Sequence, residues 1–164
     1  EHVLDDINWK AHGASHSYHR PHSGYLIKLC HRHLPVGQTL HRRDSKYPPT
    51  CPGCRLEPET QDHYLHCAAV PCMTWRVNLL VEVRRQMEVL RINTNLQEVI
   101  LNSLDNAMAS REISVNGQFT AALKAQAHIG WLGMLREYWT NKWQIAYEKT
   151  YKVPQEKMRK NKTK

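Results

Sequence analysis

Apolar residues recur along this chain mostly at helical intervals. Leu26, Ile27, Cys30 and Leu34 share one stripe, which predicts a helix over 23–34, begun after Pro21 and stopped by Pro35 and Gly37. Leu79, Leu80, Val83, Met87 and Leu90 recur in the same way over 73–92, with Asn78, Glu82 and Arg85 on the opposite side. A shorter helix is predicted over 96–108, with Leu96, Val99, Ile100 and Leu104 facing inward, and the polar stretch 110–117 reads as a loop. From Gln118 to about Tyr151 no proline intervenes, so one long helix is expected, or two broken near Gly130 and Gly133. No alternating run is long enough for a strand. The expected fold is all-α.

The last of these segments carries Trp131, Tyr138, Trp139, Trp143, Tyr147 and Tyr151. A chain with a single Phe must build its interior from Trp, Tyr, Leu and Met, so this row reads as core, with Gly130 and Gly133 allowing another helix to approach. Cys30, on the first stripe, reads as a buried thiol.

At 164 residues the chain has the length of one domain. It divides into a basic, His-rich arm with one helix (1–50), a cysteine-rich loop (51–72), a helical core (73–151) and a basic tail (152–164). There is no run of about twenty apolar residues to span a membrane. The first residues, interrupted by Asp5, Asp6 and Trp9, do not read as a secretory leader.

Four of the five cysteines lie between 51 and 72, which favours a metal in a reducing intracellular compartment (nucleus, cytoplasm or an organelle) over a disulfide framework. Cys51, Cys54, His63 and Cys67 spell C-x2-C-x8-H-x3-C. The first pair sits on a Pro52-Gly53 turn, where glycine tolerates unusual backbone angles, and the second pair falls on one face of a helical turn. One tetrahedral Zn²⁺, held by three thiolates and one imidazole, satisfies that pattern, and a site closed by four protein ligands is structural. It would staple the segment leading into the next helix. His66 and Cys72 compete with Cys67 for the fourth position. Cys67 is preferred for its thiolate and its offset from His63.

Charge is uneven. Residues 7–50 carry seven Lys or Arg against one acid, and residues 149–164 carry the same, while the body between is close to neutral. In the first arm Arg20, Lys28, Arg32, Arg42, Arg43 and Lys46 are interleaved with seven histidines and with Tyr18, Tyr25 and Tyr47. Cations among rings suit phosphate contact and base stacking, so RNA or DNA is the expected partner, with a protein surface as the competing reading. Glu57, Glu59 and Asp62 place negative charge in the metal loop, which should repel phosphate. His12, His16 and His19 have helical spacing, but no cysteine or carboxylate accompanies them, so a second metal is not expected there.

Cys51-Pro52-Gly53-Cys54, Glu59-Thr60, His63, Cys67 and Trp75 together resemble the zinc-binding region that follows the polymerase domain in LINE-type retroelement reverse transcriptases. The flanks are similar too: Asp6-Ile7-Asn8-Trp9 at the start, Leu34-Pro35-Val36-Gly37 with Leu40-His41-Arg42 before the cysteines, and Ile129-Gly130-Trp131 with Trp143-Gln144 and Tyr147 towards the end. The resemblance implies a zinc-stapled helical tail that helps seat template, with Cys51, Cys54, His63 and Cys67 as ligands. The gap between His63 and Cys67 is one residue shorter than is common in such tails, and the spacing is not that of a retroviral zinc knuckle.

Asp5-Asp6 is the only adjacent acidic pair, and no phosphate-cradling glycine loop or nucleophile elbow occurs. A non-catalytic chain is therefore expected, with no small-molecule substrate. Two classes remain: a nucleic-acid-binding tail of a retroelement polymerase, or an exapted copy of that tail serving as an accessory subunit in a larger protein or ribonucleoprotein assembly.

Overall fold

The structure is a computed structural model and describes residues 3–151. The basic tail expected at 152–164 lies outside the described residues. Eight α-helices are present among those described: α1 (Trp9–Tyr18), α2 (Ser23–Cys30), α3 (Gly37–Arg43), α4 (Gln61–His66), α5 (Val70–Val89), α6 (Thr94–Met108), α7 (Thr120–Ile129) and α8 (Lys142–Tyr151). Short 3₁₀ segments lie at Val3–Asp6, Arg20–His22 and Trp131–Arg136. The only strand-like features among the described residues are isolated antiparallel bridges, Ile7 with Thr140 and Thr50 with Pro58. The all-α expectation is met, and no described helix is long and apolar enough to cross a membrane.

Hydrophobic burial is concentrated late in the chain. Leu96, Ile100 and Leu104 of α6 pack with Phe119, with Ala122 and Leu123 of α7, with Trp131 and Met134 of the 3₁₀ segment, and with Trp143 of α8. Trp139, Tyr147 and Tyr151 lie against this cluster. Inside it sits Gln126, fully buried. Its amide nitrogen donates to the Gly130 and Tyr138 carbonyls (3.3 and 3.0 Å), and its oxygen accepts from the Thr140 amide and the Trp143 indole (3.1 and 3.2 Å). A buried amide is tolerated only when satisfied in this way.

Three expectations about the helices change. Of the two readings of Gln118 to Tyr151, the single long helix falls and the broken one holds: α7 stops at Gly130, whose φ of 97° is a conformation that L side chains rarely adopt. Nothing crowds Gly130, so its role is this turn and not a close helix approach. Second, the arm expected to hold one helix holds α1, α2 and α3. Helix α1 is capped by Asn8, which accepts from the Ala11 amide at 3.0 Å, but it buries no residue, so no apolar stripe announces it. Third, α2 ends at Cys30 and not at Leu34. Arg32 turns left-handed (φ 58°), and the His33 and Arg32 amides bond back to the Lys28 and Leu29 carbonyls. That is a Schellman stop built without glycine. The same pair of bonds recurs around Arg91, Ser110 and Glu137, at φ 54°, 54° and 65°.

The arm is not a free appendage. The Asn8 amide donates to the Trp139 carbonyl at 2.7 Å, the Gln61 side chain donates to the Leu29 carbonyl at 2.8 Å, and Asp62 of α4, which lies 3.5 Å from Arg32 of the arm, also pairs with Arg136 of the 3₁₀ segment. Gly37 begins α3 against the metal loop. A Cβ there would lie 2.8 Å from both the Glu59 carboxylate and the Pro48 carbonyl, so only glycine fits.

Candidate metal centre

The loop 50–60 folds back on itself. The Cys51 amide donates to the Glu57 carbonyl and the Glu59 amide to the Pro49 carbonyl, each at 2.7 Å. Within that turn the left-handed residue is Arg55 (φ 57°), whose amide bonds to the Cys51 carbonyl at 2.8 Å. Gly53 matters for space and not for its backbone angle: a Cβ there would meet the Ala69 methyl at 2.9 Å. Thr60 then caps α4, its hydroxyl accepting from the His63 amide at 2.8 Å, and this sets the pitch that carries His63 and Cys67 back to the cysteine turn.

Cys51, Cys54, His63 and Cys67 converge, their ligand atoms all within 4.8 Å of one another. Cys51 and Cys67 are buried with sulfurs 3.8 Å apart, and Cys54 Sγ lies 3.4 Å from His63 Nε2. A tetrahedron with metal–ligand bonds of about 2.0–2.3 Å has edges of about 3.3–3.8 Å, so the spacing is that of one coordination sphere and is too long for a disulfide. The five cysteines are free thiols.

The electrostatics favour thiolate at one corner. Backbone amides of Leu56 and Glu57 point at Cys54 and hold its pKa down to about 6, whereas burial raises Cys51. His63 presents Nε2 to the cluster while its Nδ1 lies 3.0 Å from the Glu57 carboxylate, which fixes the ring as a ligand-bearing tautomer. The donor set fits a metal ion, and the site residues can hold one.

The competing ligands are placed elsewhere. His66 turns its Nδ1 to the Met108 carbonyl at 3.0 Å. Cys72, buried beside Cys51 and Cys67, is not among the four converging donors. The loop acids are engaged internally: Glu57 with His63, Glu59 with the Gly37 amide, and Asp62 with Arg136 and Arg32. Glu57, expected only to repel phosphate, in fact supports the cluster; its six-residue offset from His63 is the signal that sequence offers for this.

The cations of the arm divide. Arg32 lies 3.5 Å from Asp62, and Lys46 lies 2.7 Å from Asp44 and over the Tyr47 ring. Arg20, Lys28, Arg42 and Arg43 are exposed and have no ion-pair partner among the described residues. Tyr18, Tyr25 and Tyr47 are exposed as well. No family model, curated protein or solved structure matches this chain.

Proposed function

We propose that this chain is a non-catalytic, zinc-stapled module that binds nucleic acid, as the tail of a retroelement reverse transcriptase would. Zn²⁺ is the ion best suited to three thiolates and one imidazole in a tetrahedral arrangement. With all four protein donors bound, no position is left for water or substrate, so the ion holds structure and does no chemistry.

The observation that carries the binding half of the reading is the set of cations without an ion-pair partner, Arg20, Lys28, Arg42 and Arg43, on the same arm as three exposed tyrosines. Such groups contact phosphate and stack bases without regard to sequence. Fluorescence anisotropy with single-stranded RNA and DNA across a salt series tests it. Affinity should fall linearly with log salt, and replacing the four cations with Gln should flatten the slope by about 0.7 for each phosphate no longer neutralised. Binding indifferent to salt and to these changes would remove the reading.

One feature favours a second reading, the accessory subunit docked in an assembly. Val70, Val77, Val81 and Val89 of α5 are all more than 60% exposed, an apolar surface that water does not reward. Under that reading the basic arm meets an acidic protein face.

A further inference from the structure

We propose that His12, His16, Cys30 and Glu137 form a second metal site, one that takes Zn²⁺ as a structural ion and ties the N-terminal helices to the C-terminal half. The ligand atoms of His12, His16 and Cys30 lie within 4.8 Å of one another. His12 and His16, four apart on α1, share one face of that helix. Cys30 is the last residue of α2, and Glu137 follows the 3₁₀ segment, so four donors arrive from three separate parts of the chain. The thiol and carboxylate that the sequence does not set beside these histidines are thus supplied by the fold.

Three of the donors, His12, His16 and Cys30, converge, and Glu137 borders them without being among the atoms that all lie within 4.8 Å. Glu137 Oε2 lies 3.0 Å from His16 Nε2 and 4.0 Å from His12 Nδ1, and Cys30 Sγ lies 3.8 Å from His16 Nε2. An N, N, S, O tetrahedron with bonds of about 2.0–2.3 Å has edges of about 3.3–3.6 Å, so these side chains must shift by a few tenths of an ångström to close on an ion.

Glu137 supplies the most pointed observation. Its Oε1 accepts from the Ser15 hydroxyl at 2.7 Å, but Oε2 is buried and makes no hydrogen bond, although His16 Nε2 is only 3.0 Å away. The contact has the distance of a hydrogen bond without its angle. Two lone pairs aimed at a common cation sit side by side in that manner, and an orphaned buried oxygen is otherwise costly. Charge balance agrees: Zn²⁺ with one thiolate, one carboxylate and two neutral imidazoles is neutral, which suits a site whose His and Glu side chains are only 17–22% exposed. Around it the His12 ring stacks on Tyr138 at 5.4 Å and meets Trp9 edge-on at 5.5 Å, a partly apolar wall.

Metal content of the full chain tests the site. After zinc loading and dialysis against a weak competing chelator, elemental analysis should give two Zn²⁺ per chain. Either His16→Gln or Cys30→Ser should reduce this to one, and so, separately, should Cys51→Ser. The wild-type chain gives a second readout that does not depend on any variant folding. X-ray absorption averaged over both sites should show equal sulfur and nitrogen/oxygen occupancy, whereas the Cys51, Cys54, His63 and Cys67 cluster alone would show three sulfurs to one nitrogen. One equivalent of zinc with a sulfur-rich shell would overturn the proposal and leave the first centre standing. Two equivalents that survive Cys30→Ser and His16→Gln would overturn it equally.

Discussion

The two halves of this molecule are held together by different physics. From Leu96 to Trp143 the chain buries nine residues in one apolar cluster, with the satisfied amide of Gln126 inside it. Before Val70, the buried apolar residues among those described are Ile7, Cys30, Cys51, Leu65 and Cys67, three of them thiols. Polar links take over there: the Cys/His cluster, the Asp62–Arg136 pair and the Gly37–Glu59 contact. Where the sequence is too polar to build a core, cross-links between distant positions must offset the chain entropy, and a metal ion is the strongest available. A molecule so divided should fail in two stages and not in one.

With zinc held by the cluster as proposed, removing the ion is the largest perturbation. Structural zinc contributes apparent free energies on the order of 10 kcal/mol in small domains. Chelation, or Cys51→Ser, should therefore abolish amide protection across residues 37–72 while α6 and α7 keep theirs, as hydrogen exchange would show. Simultaneous loss of both regions would mean that the halves are one cooperative unit. Phe119→Ala attacks the other side. It should cost about 3–5 kcal/mol, lower the melting temperature of the helical core and leave zinc stoichiometry unchanged.

Arg136→Met probes the seam. Its guanidinium is nearly buried against an Asp62 that is 37% exposed, so solvent takes up part of the loss and a destabilisation of about 1–2 kcal/mol is expected. The sharper result is that the two unfolding steps should move apart in temperature. Glu57→Gln is the mildest change. It weakens the acceptor on His63 Nδ1 and should lower metal affinity by about tenfold, read by competition with a chromophoric chelator, with helix content unaltered.

The same division decides what can be read from the sequence. The helices with an apolar stripe, α5 and α6, are legible, and the four converging donors are legible because their spacing is local. Helix α1 is not, since it buries no residue and is held by Asn8, Ser15 and two histidines reaching residues over a hundred positions away. Stops at Arg32, Arg91, Ser110 and Glu137 are hidden because none is glycine; each accepts a left-handed backbone at about 1–2 kcal/mol, compensated by the pair of amide bonds it closes. Gln126 looks like an exposed helix position, and its four hydrogen bonds follow only from where α8 returns. Likewise Cys30 and Glu137 approach His12 and His16 only once the chain has folded back on itself.

That return has a consequence in time. The bridge between Ile7 and Thr140 and the Asn8 to Trp139 bond join the first described residues to nearly the last, so the contacts that seat α1 are among the most non-local in the molecule. A ribosome releases α1 long before residue 137 exists. Until the 3₁₀ segment has emerged, Ser15 has no carboxylate to bond and His16 no Glu137 beside it, and the loop to be closed spans 122 residues between Ser15 and Glu137. Assembly should therefore proceed from the α6–α7 nucleus outwards, with the N-terminal helix docking last and slowest.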